Sequence, residues 1–169
     1  MAALLFVTLS AGFTVPHLPP AIGHGARVSP QRVSMNFFSE LSKGISKLQA
    51  GSYDEAEVRA RVERQIKMKP CIMFSQSTCP FCAKAKEALT SMGAMYTVID
   101  FDEEEDGAAV KAELIGITEQ SSVPQVFVGG QFIGGCNDGG MGGVLPLKES
   151  GKLEEMLISS GALVKGSRI

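Results

Sequence analysis

An α/β fold is predicted for this chain of 169 residues on three observations. An apolar run, Cys71-Ile72-Met73-Phe74, leads through Cys79-Pro80-Phe81-Cys82 into a segment of helical character from Ala83 to Met92. After Gly93, Met95-Tyr96-Thr97-Val98-Ile99-Asp100 reads as a second strand. A strand, a helix and a strand of these lengths imply parallel pairing through a right-handed crossover. Further on, Gln125-Val126-Phe127-Val128 and Gln131-Phe132-Ile133 flank Gly129-Gly130, a hairpin with a tight glycine turn.

The elements follow in order. Residues 1–35 read as a targeting peptide. Ala2 to Ala11 is an apolar block of signal-core length, too short for a membrane helix. Phe13 to Ser34 is rich in Pro, Ser, Gly and Arg, and the first acidic residue is Glu40, which is the composition of an organelle transit peptide. Together they resemble the two-part leaders of algal plastids, and plastid is the predicted destination, with mitochondrion or secretory pathway as alternatives. Residues 36–53 form a linker or a short amphipathic helix ending near Gly51, with Phe38, Leu41, Ile45 and Leu48 at helical spacing. The main domain is predicted over 54–165. Its first helix starts at Asp54 with Glu57 three residues later, lines one face with Val58, Val62 and Ile66, and ends at Lys67, Lys69 and Pro70. Cys71 to Ser75 is apolar enough for a strand buried on both faces. The acidic run Asp102–Asp106 precedes a helix from about Gly107 to Ile115, whose dipole it complements.

Composition narrows the function. A net charge of −2 shows no nucleic-acid footprint, and no apolar run is long enough to span a bilayer. Four cysteines (Cys71, Cys79, Cys82 and Cys136) are too few and too irregularly spaced for a disulfide scaffold. Both histidines, His17 and His24, lie near the N-terminus, and no metal is expected.

Cys79 and Cys82, two residues apart at a strand-to-helix junction, form a redox motif. The free N–H groups and dipole of a helix start favour a negative sulfur at Cys79. Pro80 suits the first helical position. Cys82, one turn on, is placed to attack a mixed disulfide on Cys79. Structural zinc would need a second pair of ligands. Pro124 enters a strand, so Ser122-Val123-Pro124 forms a bend. With a cis Val123–Pro124 bond, the Val123 backbone could pair with an extended peptide. In Gly134-Gly135-Cys136-Asn137-Asp138 the glycines allow close approach, Asp138 could accept from an ammonium group, and the neighbouring N–H groups could hold a carboxylate. These features describe a groove for a small charged peptide beside Cys79.

The stretch from about Val58 to Leu163 resembles a glutaredoxin of the dithiol type. Phe74 to Cys82, Ser122-Val123-Pro124, and Ile133 to Asp138 carry the likeness. The resemblance implies a thioredoxin-like fold with a mixed four-stranded sheet flanked by helices, a cis proline, and glutathione as reductant and co-substrate. By that resemblance Cys79 is the nucleophile and Cys82 the resolving thiol. Gln76, Phe81, Lys111, Val123, Pro124, Gly135, Cys136, Asn137 and Asp138 contact glutathione. The implied activity is reduction of protein disulfides and protein–glutathione mixed disulfides by a monomer, with glutathione reductase acting indirectly and no membrane partner in the mature form. Two departures stand out: Gln76 replaces the family's usual lysine, and Gly139-Gly140-Met141-Gly142-Gly143 lengthens the loop after Asp138. The rival classes are a glutathione-ligated iron–sulfur cluster carrier, which Pro80 disfavours, and a thioredoxin-type reductase, which the groove residues disfavour. Cys71 and Cys136 read first as small apolar packing residues.

Overall fold

The computed structural model describes residues 30–165, with side chains from residue 40 onward. The order is α1 (Pro30–Ala50), α2 (Glu55–Met68), β1 (Cys71–Ser75), α3 (Pro80–Ser91), β2 (Thr97–Asp100), α4 (Gly107–Thr118), β3 (Gln125–Val128), β4 (Gln131–Gly134), α5 (Val144–Glu149) and α6 (Lys152–Ser159). One four-stranded sheet has the order β2-β1-β3-β4. β1 pairs parallel with β2 and antiparallel with β3, and β3 pairs antiparallel with β4, so the sheet is mixed as expected.

Local chemistry explains these boundaries. Asp54 caps α2 by accepting from the Glu57 N–H at 3.0 Å. Pro80 starts α3 behind the Cys79 cap. The β3–β4 turn places Gly129 and Gly130 at φ 58° and 80°, values that two glycines adopt without steric cost. The Val123–Pro124 bond is cis.

Alternation along β1 divides the interior in two. Cys71 and Met73 point to one face, where they meet Ala85, Ala88 and Leu89 of α3, Val144 and Leu147 of α5, and Leu153 and Leu157 of α6. Ile72 and Phe74 point to the other, with Val58, Val62 and Ile66 of α2, Val110 and Leu114 of α4, and Phe101 and Phe127. Burying each large aliphatic side chain contributes about 1.5–3 kcal/mol, which makes this double layer the main source of stability.

The N-terminal region differs from expectation in where its helix starts. A helix begins at Pro30, ahead of residue 36, where the amphipathic segment was placed. Along this helix Leu41, Ile45 and Leu48 are exposed, whereas Ser46 is buried. The reason lies in α4, against which α1 packs. α4 presents Gly116 beside the Lys43 ammonium. It also presents the buried Glu113, which accepts from the Tyr53 hydroxyl at 2.9 Å and has Arg59 Nη1 at 3.8 Å. Lys47 further ties α1 to Glu55 at 2.6 Å. A polar seat selects a polar face. The Phe38 side chain and residues 1–29 of the leader read over 1–35 lie outside the described residues.

Candidate functional site

The site forms where the C-terminal end of β1, the start of α3 and the turn into β3 converge. Cys79 is the N-cap of α3, and the Cys82 N–H donates to its sulfur at 3.3 Å. An amide aimed at sulfur stabilises the anionic form. The Cys79 thiol is partly exposed, and Cys82, one turn into the helix, is buried; both are free thiols. Burial, followed by the hydrogen bond with Cys79, pushes the Cys82 thiol up to about 11, against opposing contributions from the Ser75 hydroxyl and the Gln76 backbone. The two sulfurs of one motif are thus unlike: one at the surface facing an amide, one inside and held protonated.

Across from Cys79, the Val123 carbonyl lies 3.8 Å from its sulfur. A groove of about 160 Å³ opens there, lined by Phe81, Ser122, Val123, Pro124, Cys136, Asn137 and Asp138. Phe81 stands half-exposed at its edge, with the Lys84 ammonium 5.8 Å from the ring centre. The far wall is the loop after β4. The Gly135 N–H donates to Asp138 O at 2.7 Å, and a Cβ on Gly135 would come within 2.5 Å of Asp138 Oδ1, so only glycine admits that carboxylate. The N–H groups of Asn137 and Asp138 donate to no other described residue. By contrast, the first amides of α5 are used internally, Val144 N–H on Gly135 O at 3.0 Å and Leu145 N–H on Cys136 O at 2.8 Å. The start of α5 is thus turned onto the protein's own carbonyls.

Of the residues singled out from sequence, Cys79, Phe81, Val123, Pro124, Cys136, Asn137 and Asp138 come together, and Gly135 shapes the wall behind them. Gln76 and Lys111 do not line the groove. The Gln76 carbonyl accepts the Cys79 N–H at 3.1 Å, and Lys111 lies half-buried on α4. The Cys136 thiol is buried, and that burial raises it against the opposing Lys84 charge.

Four residues that shape the site went unread in the sequence. Lys84 brings the cation that Gln76 does not. Asp102, read only as a helix-dipole residue, instead accepts from the Ser77 N–H at 2.9 Å and from the Ser77 hydroxyl, fixing the loop that leads to Cys79. Those contacts, the hydroxyl first, hold its carboxyl below the usual range. Gln125, buried at the start of β3, donates to Gln120 O at 2.6 Å and Ser122 O at 3.3 Å and accepts from the Thr118 hydroxyl at 2.8 Å. That amide pins the segment carrying Val123. Ser75, at the end of β1, is buried on the face of the strand covered by α3, the helix that carries Cys82. Gln125 and Ser75 carried a signal, each a polar residue at one end of an otherwise apolar strand.

A mixed sheet in this order, with a Cys-x-x-Cys pair at the start of a helix and a cis proline opposite, defines a thioredoxin-like protein with a thiol–disulfide site. The comparisons narrow the class. A family model described as Glutaredoxin matches residues 71–133. Glutaredoxin-1 of Rhizophagus irregularis is 36% identical over 102 residues, covering 60% of this chain and 96% of that protein. Among solved structures, the buckwheat glutaredoxin–glutathione complex aligns with a TM-score of 0.61 and 34% identity, over 65% of this chain and 96% of that one. Oxidized glutaredoxin 2 from Chlamydomonas reinhardtii gives 0.58 and 33%, over 66% and 100%. The chain belongs to the glutaredoxin family.

Proposed function

We propose that this protein is a glutathione-dependent thiol–disulfide oxidoreductase that reduces protein disulfides and protein–glutathione mixed disulfides through Cys79. The observation that carries the reading is the placement of the Cys79 sulfur at the mouth of α3, 3.8 Å from the Val123 carbonyl and at the rim of the groove. The likeness to a glutaredoxin structure titled as a glutathione complex supports it.

In this reading an extended tripeptide lies along Val123 with its carboxylate toward the Asn137 and Asp138 amides and its ammonium toward Asp138. Lys84 supplies positive charge at the edge of the groove. The Cys79 thiolate attacks the glutathione sulfur of a mixed disulfide; the new S–S bond forms as the client's S–S bond breaks, and the client leaves as a thiolate that takes a proton from water. A second glutathione thiolate then attacks the sulfur of the bound glutathione, releasing oxidised glutathione and the Cys79 thiolate. Alternatively, the Cys82 sulfur attacks Cys79, forming the Cys79–Cys82 bond and expelling glutathione. When the second glutathione attacks, Cys79 is the leaving group, and the Cys82 amide facing its sulfur stabilises the departing thiolate.

The test is disulfide reduction coupled to glutathione and glutathione reductase. Cys79→Ser is inactive, and Cys82→Ser keeps substantial activity on a glutathionylated peptide. Wild-type activity in Cys79→Ser would overturn the reading. Residues 1–35 are proposed as a plastid leader on their composition alone, and a fluorescent protein fused behind them that stays in the cytosol would refute it.

A further inference from the structure

Ser75 is the last residue of β1 and is fully buried. Its hydroxyl oxygen is, among the described residues, the buried side-chain oxygen with no standard hydrogen-bond partner. Buried hydroxyls without partners are uncommon because each forfeits its bonds to water. By the alternation of β1 it points, with Cys71 and Met73, to the face that α3 covers, and α3 carries the buried Cys82 in its first turn. A neutral thiol is a weak acceptor and leaves the hydroxyl underused. A thiolate is a strong acceptor, and a buried one needs a donor.

We propose that Ser75 is a positioning residue for the resolving thiol: its hydroxyl donates to the Cys82 sulfur as that sulfur becomes anionic, and so sets how fast the Cys79–Cys82 disulfide closes. The inference rests on the glutathione reading above and deepens it. Starting from glutathione on Cys79, Cys82 loses its proton to water and its sulfur attacks the Cys79 sulfur. The Cys79–Cys82 bond forms, the bond from Cys79 to glutathione breaks, and glutathione leaves as a thiolate that is protonated by water. Ser75 transfers no proton; its O–H stabilises charge on the attacking sulfur. In the reverse direction the same bond favours Cys82 as leaving group when glutathione opens the internal disulfide. The share of the two-thiol route thus depends on a hydroxyl that never touches substrate. Cys79 is the titratable group that acts on Cys82, so the pH dependence of closure reports on this pair and the hydroxyl.

The experiment loads Cys79 with glutathione from oxidised glutathione, detected by intact mass, and follows glutathione release by rapid acid quench. Loss of a hydrogen bond to a charged group slows closure in Ser75→Ala about tenfold at neutral pH. The effect disappears against a glutathionylated peptide when Cys82 is already Ser, because nothing remains for the hydroxyl to assist. Ser75→Thr, which keeps the hydroxyl, closes faster than Ser75→Val, which has the same shape without it; this pair decides the matter should Ser75→Ala not fold. Normal loading with unchanged closure, or equal rates for the Thr and Val variants, would overturn the role of Ser75. Failure of Cys79 to take up glutathione at all would instead overturn the functional reading beneath it.

Discussion

Replacing Gln125 by Leu removes a buried amide while nearly conserving volume, and its cost can be worked from the contacts. The side chain holds the Gln120 carbonyl at 2.6 Å, the Ser122 carbonyl at 3.3 Å and the Thr118 hydroxyl at 2.8 Å. The hydroxyl retains the Leu114 carbonyl at 2.9 Å, so its loss is small. Ser122 is exposed, and water can replace the bond its carbonyl loses. The Gln120 carbonyl loses its short bond and keeps only the long contact from the Thr118 hydroxyl at 3.4 Å. A buried hydrogen bond contributes about 1 kcal/mol, and a partner left with one long contact loses about 1 kcal/mol more, the low end of the penalty for stranding, so the sum is about 2 kcal/mol. With a urea slope of about 1–3 kcal/mol per molar, the unfolding midpoint falls by about 0.7–2 M. The assay is equilibrium urea unfolding followed by far-UV circular dichroism. Activity should suffer as well, with KM for a glutathionylated peptide rising more than kcat falls, because the freed segment carries Val123. A midpoint within about 0.3 M of wild type would refute the claim that this amide pins the segment.

The remaining predictions concern charge. Asp102→Asn loosens the loop before Cys79, and hydrogen exchange at the Ser77 N–H, which donates to that carboxylate at 2.9 Å, becomes faster. The carboxyl is held below its ordinary range, so the contact is present above that range and is lost as pH falls through the lowered value. Slow Ser77 exchange in Asp102→Asn would contradict this. At the alkaline end, burial raises Cys71 to about 12 and Cys82 to about 11 from an ordinary 9.0. The folded chain binds these protons more tightly than the unfolded one, so stability is complete below pH 9.0 and declines as pH rises toward 11. Thermal melts at rising alkaline pH check it: Tm falls less steeply in Cys71→Val than in wild type.

What was legible in the sequence was local. The Asp54–Glu57 cap, the apolar β1, the glycine hairpin turn and the Cys-x-x-Cys junction each depend on residues a few positions apart, and all stand where their patterns put them. What was missed depends on distant partners. Nothing near Asp102 announces that it folds back on Ser77, 25 positions earlier. The apolar spacing in α1 left open whether the segment packs or links, and the polar seat on α4 that receives it is encoded more than sixty residues away in Glu113 and Gly116. Gln76 and Lys111 were placed in the groove by family position; the cation beside Phe81 comes from Lys84 on α3, a residue with no pattern of its own.

The sheet order leaves β2 and β4 with one open side each. Both are only four residues long, and β4 pairs with an irregular register opposite Val126 and Phe127. Short, kinked borders of this kind give a passing polypeptide too little ladder to join. The sheet is thereby guarded at both borders against recruiting strands from other chains.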